Sequence, residues 1–93
     1  MQNYRMDNQW DVELSFAEED SITTACEARL IGNGAPDLSA HGESVRSLAD
    51  RPAARIGEEV AAARALDALS RRLRAQADGE VEDAKLRPGY LIY

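Results

Sequence analysis

From Gln9 to Phe16 the chain alternates strictly, with Trp10, Val12, Leu14 and Phe16 apolar and Asp11, Glu13 and Ser15 between them. A period of two predicts a half-buried strand, because successive side chains of a strand point to opposite faces. After the acidic turn "AEEDS" the run from Ile22 to Ile31 sets Ile22, Thr24, Cys26, Ala28 and Leu30 on one face and Thr23, Glu27 and Arg29 on the other. The two runs predict an antiparallel hairpin. "GNGAPD" then interrupts pairing with glycine and proline. It lacks the third glycine, the lysine and the following helix of a phosphate loop, and it reads as a turn. The stretch "LSAHGESVR", Leu38 to Arg46, predicts a weaker, edge-like third strand with a bend at Gly42.

The period then changes. Ile56, Val60, Ala63, Leu66, Leu69 and Leu73 recur at the 3–4 spacing of an amphipathic helix, which predicts that this stripe lies on the sheet. Asp50 is the expected N-cap, Pro52 a first-turn proline, and Glu58 and Glu59 favour the positive end of the helix dipole. Gly79 is the expected C-terminal stop, with "EVEDAKL" as a separate short helical turn. About 20 residues make a rod of roughly 30 Å, long enough to cross three strands. The order β-β-β-α predicts an α+β fold: a three-stranded antiparallel sheet with one long helix on one face, then a short helical turn and tail. Residues 1–8 are expected as a flexible tail and 9–93 as a single domain.

Beyond the predicted stripe lies a second arc of small residues, Ala61, Ala62, Ala65 and Ala68, and the chain ends in Tyr90-Leu91-Ile92-Tyr93. Small residues let helices approach closely, and a small domain gains core by pairing. A homodimer is therefore expected, with Ala61, Ala65, Ala68, Tyr90, Leu91, Ile92 and Tyr93 as its interface.

Composition narrows the class. At 93 residues, 44% hydrophobic and 30% charged, the chain is expected to form one ordinary globular domain with a modest core. No apolar run approaches the roughly 18 residues that span a bilayer, and "MQNYRMDNQW" has no apolar signal region. The one cysteine excludes an intrachain disulfide and fits a cytoplasmic location.

Charge changes the picture more. A net charge of −6 and a pI near 4.7 oppose generic binding to nucleic acid or anionic membranes. Yet between Ser44 and Ala77 seven arginines face four acids, a local +3. Such asymmetry can create a basic face on an acidic protein. Arg46, Arg51, Arg71, Arg72 and Arg74 are the candidate phosphate contacts. The alternative is a solvated helix face, with Arg64 pairing with Glu59 or Asp67 or reaching over the sheet.

No catalytic set emerges. His41, the single histidine, sits on a polar strand and is expected to have no second ligand at metal spacing, and Cys26 is expected in the core. The Glu18-Glu19-Asp20 run lacks the interleaved oxygen ligands of a calcium loop, and Glu80, Glu82 and Asp83 read as solvated. No enzymatic activity, cofactor, metal or small-molecule substrate is expected.

"AHGES-R" followed by "DRP…RIGEEVAAARALDALSRRL" resembles a small actinobacterial family with a double-stranded-RNA-binding-like (dsRBD-like) fold. The likeness runs from Gln9 onward. It includes Trp10, Val12, Ala25, Ala28-Arg29-Leu30, His41-Gly42, Asp50-Arg51-Pro52, Ile56-Gly57-Glu58-Glu59, Ala63-Arg64-Ala65-Leu66, Leu69, Leu73, Val81-Glu82 and Pro88. The helix motif is its specific part. The chain departs from the family at Ala40-His41-Gly42, where Gly-x-Gly is common, and at Ala53-Ala54-Arg55, where Val-Pro-Glu is common.

The resemblance implies a β-β-β-α unit, commonly dimeric, similar in shape to part of the ribosome hibernation-promoting factors and linked in some relatives to stress or dormancy. It implies no catalysis. Two functions follow as expectations. One is a stress-associated factor bound to RNA or the ribosome through the five arginines. The other is a homodimeric protein-interaction module indifferent to nucleic acid.

Overall fold

A computed structural model describes residues 7–47 and 54–86. Its elements are β1 (Trp10–Glu18), β2 (Thr23–Gly32), β3 (Ser39–Val45) and α1 (Ala54–Lys85). The strands form one antiparallel sheet in the order β1-β2-β3, with α1 packed across β2 and β3. This is the α+β arrangement that the alternating and helical periods predict.

Both connections between strands are built by local polar chemistry. At the β1–β2 turn the Asp20 carboxylate accepts the Ile22 and Thr23 N–H groups at 2.9 and 2.7 Å. The Glu19 N–H closes the turn on the Thr23 carbonyl at 3.0 Å. Between β2 and β3, Gly34 has φ +79°, a left-handed backbone that glycine adopts at no steric cost. The turn is pinned from outside: the Trp10 indole N–H and the Asn8 side-chain amide both donate to the Asn33 carbonyl, at 3.1 and 2.9 Å. Asn8, expected in the tail, is therefore tied to the domain.

Direct pairing places Leu14 opposite Ala28, Phe16 opposite Cys26, and these two β2 residues opposite Ala40 and Gly42 of β3. The floor under α1 is thus made of small side chains. The helix answers with small ones: Ala61, Ala65 and Leu69 are its buried residues, joining Cys26, Ala28 and Ala40 in the core. Leu14, Leu38, Ala62 and Ala68 pack around this cluster.

This overturns the predicted phase of the helix. Ile56 and Leu66, placed on the sheet by the 3–4 spacing of large residues, are 61% and 41% exposed. Ala63 also faces solvent, Val60 and Leu73 are half-buried, and only Leu69 of that stripe is buried. The alanine arc assigned to a second chain is the face that meets the sheet: Ala61 and Ala65 are fully covered by their own protomer.

Gly42 explains why. A Cβ there would lie 2.5 Å from the Ala61 carbonyl oxygen and 2.8 Å from the Arg64 carbonyl carbon. The residue marks close approach of two backbones, in place of the expected bend.

The helix also runs without interruption through Gly79 to Lys85. Gly79 has no positive φ and cannot form the expected left-handed stop, so "EVEDAK" continues the same helix. Asp50 and Pro52, the expected helix start, lie outside the described residues.

Candidate functional site

The two edges of the sheet differ, and backbone direction shows how. The Leu30 N–H donates to the Leu38 carbonyl at 3.0 Å, and the Arg46 N–H to the Ile22 carbonyl at 2.9 Å. In an antiparallel ladder the N–H and C=O of one residue point the same way and successive residues alternate. Even-numbered residues of β3 therefore face β2, and Ser39, His41, Glu43 and Val45 direct their backbones to the free edge. Two helix arginines cover that edge. Arg64 donates to the Glu43 carbonyl and Arg72 to the Ser39 carbonyl, each at 2.7 Å.

The β1 edge has no such cover among the described residues. Glu19 points to β2 through its bond to Thr23, so odd residues of β1 face inward. Trp10, Val12, Leu14, Phe16 and Glu18 then turn their N–H and C=O groups outward. The side chains of Val12, Leu14 and Phe16 lie on the helix side of the sheet, as their partners Leu30, Ala28 and Cys26 do. Because α1 sits over β2 and β3, Trp10, Val12 and Phe16 remain 42–43% exposed. Leu66 flanks this strip. It lies about 200° round the helix from Arg64 and hence on the β1 side. An open strand edge beside an uncovered apolar strip is a surface suited to binding another chain.

The candidate phosphate contacts are largely engaged within the chain. Arg72 covers the β3 edge, Arg71 bonds to Asp67 one turn earlier, and Arg46 donates to the Ser21 and Ser47 carbonyls at 3.2 and 3.3 Å. Arg55 pairs with Glu59 at 3.7 Å. Arg74 is exposed on α1, one residue beyond half-buried Leu73. Arg51 lies outside the described residues, as do Tyr90, Leu91, Ile92 and Tyr93. Of the expected interface alanines, Ala61 and Ala65 are covered by the sheet, and Ala68 is half-buried beside them.

On the opposite sheet face, His41 and Glu43 pair at 2.8 Å, and Glu19 arrives from the β1–β2 turn. One donor atom from each lies within 4.8 Å of the others. His41 thus does have a second donor, Glu43, two residues along its own strand and on the same face, and a third, Glu19, brought from the β1–β2 turn; this corrects the expectation that it has no second ligand. All three side chains are exposed, so water competes for any cation held there. The hydrogen bond to the Glu43 carboxylate raises the His41 pKa, and the nearby charges of Glu43, Glu19 and Glu27 add to it. Cys26 is buried under α1, and desolvation raises its thiol pKa, the reverse of what a nucleophile needs. A shallow depression beside the β2–β3 turn is lined by Leu30, Ile31, Ala35 and Pro36, with Arg29 and Asp37 also on its wall.

A family model described as Rv2632c-like matches residues 8–89. The chain belongs to the Rv2632c-like family. A solved structure, described as the crystal structure of Rv2632c, is 28% identical with a TM-score of 0.78, covering 92% of this chain and 100% of that one. No curated protein matches the chain. Family membership and this likeness carry the fold, a three-stranded sheet under one long helix. No helix among the described residues is long and apolar enough to cross a membrane.

Proposed function

We propose that this Rv2632c-like chain is a non-catalytic binding module that acts by associating with other protein chains, a second copy of itself first among them. The observation that carries this reading is the exposed strip of Trp10, Val12 and Phe16 beside a β1 edge that no other described residue pairs with. A chain with so small a core leaves its larger aromatic side chains outside it, where they contribute little until something covers them. Burial of such side chains stabilises by about 1.5–3 kcal/mol each when complete. Light scattering and sedimentation over a concentration series test the reading. The expected result is a mass that rises to twice that of the chain; a single-chain mass at every concentration overturns it.

A second reading, a stress-linked factor bound to the ribosome or structured RNA, draws on the hibernation-factor shape that the sequence resemblance implies and on Arg71, Arg72 and Arg74 near the end of the sheet-packed part of α1. Engagement of Arg71 and Arg72 within the chain weakens it, as does the net charge of −6. Co-sedimentation with ribosomes across a salt series tests it. Phosphate contacts would make binding fall steeply with salt, and Arg74→Glu would weaken it further. No binding at low salt removes this reading.

A further inference from the structure

We infer that two copies join through β1, antiparallel about a two-fold axis at Leu14, so that two three-stranded sheets become one of six strands. The inference rests on the self-association proposed above and names its surface and register. Its first support is the contrast between the two edges. Arg64 and Arg72 occupy carbonyls of β3, whereas β1 presents a nine-residue edge free of proline, lysine and inward-facing charge along its centre. Natural sheets use those devices to prevent edge pairing, and their absence leaves β1 competent for it.

Charge selects the register. Pairing centred on Leu14 sets Val12 of one copy opposite Phe16 of the other, Glu13 opposite Ser15, Asp11 opposite Ala17 and Trp10 opposite Glu18. No acid then faces an acid. Centring on Val12 sets Asp11 against Glu13, and centring on Glu13 sets that residue against itself. Centring on Ser15 sets Asp11 against Glu19, and on Phe16, Glu13 against Glu19. Like charges directly opposed destabilise a strand pair. The Leu14 register also brings outward-pointing backbones together: Leu14 meets Leu14, and Val12 meets Phe16, each opposed pair able to exchange two hydrogen bonds.

A two-fold axis normal to the sheet puts both helices on one face. Val12, Leu14 and Phe16 of both copies then form a continuous apolar floor between them, flanked by Leu66 from each side. The interface thus covers what a single copy leaves exposed.

Amide hydrogen exchange by NMR on the full chain, above and below the concentration at which the mass doubles, tests this directly. The Val12, Leu14 and Phe16 amides should exchange slowly in the dimer and about tenfold or more faster in the monomer. Two double variants test the register. Val12→Lys with Phe16→Lys opposes lysine to lysine and should give a monomer. Val12→Lys with Phe16→Glu opposes lysine to glutamate and should recover the dimer. Both place their substitutions at positions exposed in one copy, and circular dichroism reports whether each folds. A doubled mass with unprotected even-numbered amides, or with the two variants behaving alike, overturns the β1 assignment and leaves self-association standing. Protection independent of concentration and lost on deleting residues 90–93 assigns the edge to the chain's own end and overturns it too. A single-chain mass throughout removes both readings.

Discussion

Gly42 touches Ala65 backbone to backbone: a Cβ on the glycine would fall 2.3 Å from the alanine's amide nitrogen. The contact is with helix main chain, which cannot rotate away as a flexible side chain would. Gly42→Ala must therefore push α1 off the sheet along the row formed by Cys26, Ala28 and Ala40. The expected loss is about 3 kcal/mol or more, at the upper end of overpacking costs. Urea unfolding monitored by Trp10 fluorescence measures it.

Gly79 carries the opposite prediction. It sits inside an exposed stretch of helix, its backbone is helical, and a methyl group on its Cα would meet nothing within 4 Å. Gly79→Ala removes conformational freedom from the unfolded chain and adds no clash. Helix stability should rise by about 0.5–1 kcal/mol, read as greater far-UV ellipticity and slower exchange of amides after Ala75.

His41 reports its pairing with Glu43. A pKa held above the ordinary 6.5 means that the folded state binds the proton more tightly than the unfolded chain. The pair's contribution is fully present below the unfolded pKa of His41 and is lost as pH rises through the raised folded value. An NMR titration of the imidazole should show Glu43→Gln lowering the midpoint toward 6.5. Asp20 behaves in the reverse sense. Its carboxylate is held below the ordinary 3.8, first by the Ile22 N–H, so its contribution is present above that value and is lost as pH falls through the depressed one.

Arg64 and Arg72 should be worth more than their charge. Replacing either with methionine keeps much of the apolar stem and removes the donor to a β3 carbonyl. Each change should cost about 0.5–1.5 kcal/mol. The double change should also open the β3 edge, raising aggregation on incubation above that of the parent chain. Unfolding midpoints and turbidity measure the two effects.

The strands were legible because their signal is binary. Trp10 to Phe16 alternates without exception, and β2 keeps Cys26, Ala28 and Leu30 in step, so facing is readable, while β1 runs two residues further, through Glu18, into the expected turn. The helix was legible in type and misread in phase. Periodicity weights large aliphatic residues, and Ile56, Leu66 and Leu73 outweigh alanines in any such reading. Packing here follows shape: a floor of Cys26, Ala28, Ala40 and Gly42 accepts only a helix face that is equally shallow. The signal was present in the strands, where small residues recur at every second position, and it constrained the helix from outside the helix. The Arg64 and Arg72 contacts and the approach of Glu19 to His41 join residues 21–33 positions apart, which linear spacing does not encode, whereas the His41–Glu43 pair follows from alternation along β3.

Beyond Leu73 the helix has no sheet beneath it. Residues 74–83 are exposed, and within 74–85 only Ala84 is half-buried, while side-chain bonds such as Gln76 to Glu80, at 3.0 Å, run along the helix itself. Isolated helical turns are marginal in water, so these residues draw their order from the turns before them. The molecule is consequently expected to melt in two stages, from that end of α1 first. Far-UV ellipticity should decline on mild heating while Trp10 fluorescence holds, because warming shortens the rod before it dissolves the sheet.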